Sequence, residues 1–325
     1  MNVWIMSLFL SGGLCAAQAG AAAPSGQPFV PAEDVVQRLN QRYMLVDNSC
    51  REQGTNFARG HYYCSGLIMR GTDDGYFLPW EHSPNSIARG SVSFFWIRQD
   101  LAVPVFDGAE VPTRSGFVLW APQDEIDLGR EPILDQGVIC IFPFDAVTYS
   151  VWKNRGCGYK RGPTLTYPQP EALHRNMWYA WGQCEGMGIK TADQWMALWN
   201  NDLGDPQLPD QRAQCSWNAD SQSGWDNMIS IRKRLSGPNM YGWNEVMVDT
   251  RDDSGAMLMP HIAAFWYVQV SWEDPMQSLS AARIYQAKLL SQGYYAPILR
   301  LDFSAPSSQR FSYRAEDQGS IPLGN

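Results

Sequence analysis

The stretch from Tyr62 to Asp100 constrains the fold most, because two long apolar runs, Cys64–Thr72 and Ser91–Gln99, are separated only by a turn-rich loop. Runs of this kind read as neighbouring strands, and the loop residues Asp73-Asp74-Gly75 and Pro84-Asn85 supply the turns. The first run ends Arg70-Gly71-Thr72 and the second opens Ser91-Val92-Ser93, so a cation and two hydroxyls stand where the strands emerge. Ser91 and Ser93 are two apart and share a strand face. That density of polar groups against apolar ones suggests an anion or nucleotide site.

Charge removes several classes. A net charge of −8 opposes a nucleic-acid partner, whose phosphates need a basic face. It also opposes adhesion to anionic membranes. An apolar share of 45% over 325 residues supports a real core rather than disorder. The first 19 residues read as an export signal. Val3 to Leu14 is apolar, and Ala17-Gln18-Ala19 supplies a small-x-small cleavage site. That run is too short to span a bilayer. Cleavage near Ala19 leaves residues 20–325 as one α+β domain, secreted or periplasmic.

Of the seven cysteines, Cys15 lies in the leader, which leaves Cys50, Cys64, Cys140, Cys157, Cys184 and Cys215. An even set in an exported chain reads as three disulfides. Sequence-neighbour pairing, Cys50–Cys64, Cys140–Cys157 and Cys184–Cys215, is expected because each pair brackets a loop-like stretch. The set contains no C-x-x-C, and His61, His82, His174 and His261 lack zinc-ligand spacing, so no metal is expected.

Periodicity supplies the remaining elements. Helices are expected over Pro31–Met44, Ala192–Asn200, Gly224–Leu235 and Asp274–Gln292, the second opened by a Thr191/Gln194 capping box. Further strands are expected over Ser115–Ala121, Gly137–Phe144, Asn244–Thr250, Ile262–Val270 and Ile298–Phe303. Pro122–Asp135 reads as acidic and irregular. Strands early and late with helices between them give an α+β fold, mainly an antiparallel sheet with flanking helices and long disulfide-stapled loops.

Most local motifs fail. Gly156-Cys157-Gly158-Tyr159-Lys160-Arg161-Gly162 places its last glycine one residue late for a dinucleotide fingerprint. Asn218–Ile229 lacks the closing glutamate of a calcium loop. What remains is Arg70, Ser91 and Ser93, with Glu245 opening a distant strand. Arginine's fork suits a pyrophosphate or carboxylate. Among the fourteen tryptophans, Trp80, Trp96, Trp243 and Trp266 lie near these candidates and could stack on a planar ring, although core packing is the ordinary use.

The order of motifs resembles the halovibrin family of secreted bacterial proteins. The resemblance rests on Cys64-Ser65-Gly66-Leu67 with Arg70-Gly71-Thr72, Ser83-Pro84-Asn85-Ser86, Gly90-Ser91-Val92-Ser93-Phe94 and Arg98-Gln99-Asp100. It continues through Cys140–Asp145, Gly156-Cys157-Gly158, Gly188–Thr191, Asn244-Glu245 and Phe311-Ser312-Tyr313-Arg314. It implies secretion, an ADP-ribosyltransferase-like core and hydrolysis of NAD at the nicotinamide–ribose bond, with NAD as substrate and no cofactor. By the same resemblance Arg70 would hold phosphate or ribose, Ser91 and Ser93 would brace the pocket with Trp80 and Trp243 beside it, and Glu245 would stabilise an oxocarbenium-like transition state. Trp243 stands two before Glu245, where enzymes that modify proteins carry Glu or Gln. Water is therefore the expected acceptor, ahead of a host or competitor-cell target. The competing readings are an ADP-ribosyltransferase toxin, a secreted binding module without chemistry, and a different hydrolase built on Glu81 and His82.

Overall fold

Apolar runs without polar alternation, such as Leu67-Ile68-Met69 and Phe94-Phe95-Trp96-Ile97, demand a sheet covered on both faces. The computed structural model has that form. It describes residues 29–46, 60–71, 80–81, 91–101, 114–132, 138–144, 183–201, 214–219, 221–235, 244–249, 256–268, 275–302 and 309–319.

The described strands are β1 (Leu67–Gly71), β2 (Ser91–Ile97), β3 (Ser115–Leu119), β4 (Val138–Phe142), β5 (Trp217–Asn218), β6 (Glu245–Asp249), β7 (Ile262–Val268), β8 (Ile298–Leu301) and β9 (Phe311–Tyr313). They form one sheet in the order β5-β4-β6-β2-β1-β3-β7-β8-β9. Every pairing is antiparallel except β7 with β8. That parallel pair needs a crossover. A helix over Pro275–Ser291 supplies it and packs back on β7, β3 and β8. The α+β, mainly antiparallel architecture expected from the sequence is the one observed.

The other helices are α1 (Ala32–Met44), α2 (Pro122–Asp127), α3 (Gln183–Gly186), α4 (Ala192–Asn201) and α5 (Gln222–Arg234), so the crossover helix is α6. Alternate residues of each central strand enter opposite cores. Ile68, Phe94, Trp96, Phe117 and Phe265 pack with Trp195 of α4, Trp225 of α5 and Tyr285 of α6. Leu67, Met69, Phe95, Ile97 and Val118 pack with Val35, Leu39 and Tyr43 of α1. Burying each such side chain contributes roughly 1.5–3 kcal/mol.

The capping box forms as written: Thr191 Oγ1 accepts from Gln194 N at 3.3 Å, and Gln194 Oε1 accepts from Thr191 N at 3.2 Å. Ser221 caps α5 by accepting from Gly224 N, so that helix opens earlier than its apolar spacing suggests. The acidic stretch after Ala121 is not wholly irregular. Pro122 occupies the first turn of α2, with Asp124 and Glu125 at its positive end, an arrangement that favours helix.

Cys184 and Cys215 are bridged, as sequence-neighbour pairing expects. Cys64 and Cys140 are also disulfide-bonded. Cys50 and Cys157 lie outside the described residues.

Among the described residues, four side-chain amides pair backbone groups where a strand ladder gives no partner. Each bonds both the N–H and the C=O of one residue. Asn40 serves Phe311, Gln214 serves Phe144, Gln318 serves Ile298, and Asn244 serves Trp96. Backbone groups left unpaired in a buried sheet cost free energy, and an amide carries the donor and acceptor needed to satisfy both.

Candidate functional site

Three candidate residues lie on three adjacent strands. Arg70 is on β1, Ser93 on β2 and Glu245 on β6, and β2 pairs with both of the others. Residues distant in sequence are thus made neighbours by strand order alone.

The β2–β6 register sets Ser93 opposite Met247 and Phe94 opposite Val246. Glu245 lies two before Met247, so it shares the face of Ser93. Ser93 Oγ donates to Glu245 Oε1. On its other edge Glu245 pairs with Phe142 of β4. The glutamate is fully buried, while Ser93 is half-buried.

Arg70 takes a different route to the same place. The β1–β2 ladder runs from Leu67↔Ile97 to Met69↔Phe95, so pleat alternation puts Arg70 on the face of Ile68 and Phe94, opposite to Ser93. Its guanidinium nonetheless donates to the Ser93 carbonyl at 3.4 Å, two residues along β2 from Phe95 of the last pair. The expectation that arginine and serine side chains project into one pocket is therefore corrected. The hydroxyl and the carboxylate share a face, and the arginine meets them through the backbone of Ser93.

Of the other expected site residues, Ser91 opens β2 two positions before Ser93, and the described tryptophans fall elsewhere. Ser91 pairs with Asp249 in the β2–β6 register. Trp80, expected at the rim, is buried in the first core, its ring 6.1 Å from Phe265. Trp96 and Trp266 are likewise fully buried, so their rings serve packing. Trp243 and His82 lie outside the described residues.

Two features near the site carry no sequence signal on their own. Asn244 precedes Glu245, and its Oδ1 accepts from Trp96 N while its Nδ2 donates to Trp96 O, both at 2.7 Å. Trp96 is anchored in turn. Its indole N–H donates to the Ser65 carbonyl at 3.1 Å, and its ring meets Trp225 edge-on at 4.8 Å. The second feature is His61, whose sequence position shows only that it lacks zinc-ligand spacing. It is fully buried; Nδ1 accepts from Arg98 at 3.2 Å and Nε2 faces Asp226 Oδ1 at 2.8 Å. Burial pushes its pKa below the usual 6.5, with the Arg98 charge acting in the same direction and Asp226 opposing. Arg98 and Lys233 both bind Asp100. Burial alone would raise the Asp100 pKa, but these hydrogen bonds and charges outweigh it and hold the carboxyl below its ordinary range.

Chemically, the pair at the centre is a buried carboxylate held by a hydroxyl donor. Such a group stabilises positive charge developing beside it, because a low-dielectric setting strengthens the interaction. Among the described residues no cluster of His, Cys, Asp and Glu could hold a metal ion. No helix among them is long and apolar enough to cross a membrane. Neither the protein-family models nor the curated proteins compared with this chain match it.

Proposed function

We propose that the protein is a secreted NAD glycohydrolase in which Glu245 stabilises the ribosyl cation as nicotinamide leaves. The C1′–N bond breaks, its electron pair departs with neutral nicotinamide, and water adds to C1′ with loss of a proton. The observation that carries the reading is the Ser93–Glu245 hydrogen bond, with the Arg70 guanidinium on the carbonyl of that same serine. Cleavage of this bond needs a carboxylate next to positive charge growing on the sugar, as in glycoside hydrolysis. Arg70 on β1, with β2 between it and Glu245, supplies a cation that suits the pyrophosphate of the same substrate.

The Cys184–Cys215 bridge and the bonded Cys64 and Cys140 support an oxidising compartment, and the leader ending near Ala19 supports export to it. Trp243, two residues before Glu245, supports water over a protein side chain as acceptor.

The test is release of nicotinamide from NAD by the purified protein, in buffer containing EDTA. The wild type should turn over, and Glu245→Gln should lose at least about 100-fold in kcat while still unfolding cooperatively. A wild-type protein that leaves NAD intact would sink the proposal.

A further inference from the structure

We infer that Asn244 is a positioning residue for Glu245, its side-chain amide standing in for the last rung of the β2–β6 ladder. The catalytic part of this inference rests on the glycohydrolase reading; the structural part does not. The β2–β6 register runs from Ser91↔Asp249 to Phe94↔Val246, and two steps further it would set Trp96 opposite Asn244. In a continued ladder, the Asn244 backbone would bond Trp96. Instead its side chain does so, with Oδ1 on the Trp96 N–H and Nδ2 on the Trp96 carbonyl, each at 2.7 Å. The Asn244 backbone therefore stands off from β2 by the length of an amide side chain. The next residue, Glu245, opens β6 and pairs with Phe142 of β4, and the β2 ladder begins one residue later at Val246.

The anchor is rigid. Trp96 is fully buried, bonded through its indole to Ser65, packed against Trp225 and covered by the Arg98 guanidinium at 5.2 Å. A fixed path thus runs from Ser65 through Trp96 and Asn244 to Glu245 and on to the Ser93 hydroxyl. Asparagine suits the post in both chemistry and length. Aspartate offers no donor to the Trp96 carbonyl when ionised, and glutamine offers both groups but one methylene further out. A displacement of about 1 Å at a reacting group can cost about 100-fold in rate.

Asn244→Gln in the full chain is the decisive variant, read in two ways. The first is the δ-carbon resonance of Glu245 in carbon-13-labelled protein, assigned by its loss in Glu245→Gln. The second is steady-state nicotinamide release. We expect the Glu245 resonance to move and kcat to fall about 10- to 100-fold, with KM within about twofold of wild type. An unmoved resonance overturns the positioning role, and so does an unchanged kcat in an active enzyme. If the wild type releases no nicotinamide, the glycohydrolase reading falls and the resonance alone decides the role of Asn244. Should Asn244→Gln fail to fold, Asn244→Asp takes its place. Its neutral acid form restores donor and acceptor, so as pH falls below about 4 the Glu245 resonance should converge on that of the wild type measured at the same pH, and failure to do so overturns the inference.

Discussion

Ser93 and Glu245, 152 positions apart in sequence, share a hydrogen bond because β2 and β6 are neighbours in the sheet. The bond goes to a fully buried carboxylate on an interior strand, so its loss should weigh more than that of an exposed serine contact. A hydrogen bond to a charged group is worth roughly 1.5–3 kcal/mol. Ser93→Ala should therefore lower kcat for nicotinamide release about 10- to 100-fold while KM moves little. A variant with wild-type kcat would separate the serine from the chemistry.

Arg70 should behave differently, because its guanidinium reaches the site through the Ser93 carbonyl. Lysine keeps the charge but loses the fork. Arg70→Lys is expected to raise KM for NAD about 3- to 30-fold, with a smaller fall in kcat, in initial-rate measurements over a range of substrate concentrations. A fall confined to kcat would place Arg70 with Glu245 rather than with substrate binding.

Gly66 packs against Trp96, the residue that anchors Asn244. Its φ is +67°, and a Cβ there would lie 2.3 Å from the indole. Left-handed backbone and overpacking both penalise alanine, together by roughly 2–4 kcal/mol. Urea unfolding of Gly66→Ala should report a loss of that size, and a loss under about 0.5 kcal/mol would contradict the packing described.

His61 sets a pH dependence of stability. Its folded pKa lies below 6.5 through burial, so the folded state resists the proton that the unfolded chain accepts. The sign follows from linkage. Stability is fully present above about pH 6.5 and falls as pH drops from there towards the folded pKa, by up to about 1.4 kcal/mol per pH unit. The groups facing the ring are Asp226 of α5 and Arg98 and Asp100 beyond β2. Asp100 itself titrates below its ordinary carboxyl range and acts in a more acidic window. Urea midpoints between pH 5 and 8 should therefore fall on acidification in the wild type and fall less in His61→Gln. Equal slopes in the two proteins would rule out His61 as the source.

The regular elements were legible because their signals are local. The capping box of α4, the apolar runs of β1 and β2, and the helix between Asp274 and Gln292 all read directly. Alternation along β2 also placed Ser91 and Ser93 on one face before any strand order was known. The strand order itself was not legible, since β6 reaches β2 and β4 across long intervals of chain. Without that order, pleat alternation could not show that Arg70 leaves on the face opposite Ser93. Trp80 looked like a ring on offer because burial is a property of the packed sheet rather than of the residue. The amides hide for a related reason: Asn40, Gln214, Asn244 and Gln318 look like surface polar residues until the fold sets each opposite backbone that the strand ladder leaves unpaired.

That shared device allows one further comparison. Gln318 bonds Ile298 N at 2.8 Å and Ile298 O at 2.7 Å, and it also donates to the Arg314 carbonyl at 3.1 Å. Ile298 opens β8, which is separated from β2 by β1, β3 and β7. Gln318→Glu replaces the donor with an oxygen facing two carbonyls. It should destabilise the fold by roughly 1–3 kcal/mol in urea unfolding. Its kcat per folded molecule should remain at the wild-type value, because Ile298 lies four strands from β2, whereas Asn244 is bonded to Trp96 of β2 and adjoins Glu245. If Gln318→Glu and Asn244→Gln depress kcat alike, the amides serve the fold in general, and the special position of Asn244 beside the carboxylate is lost.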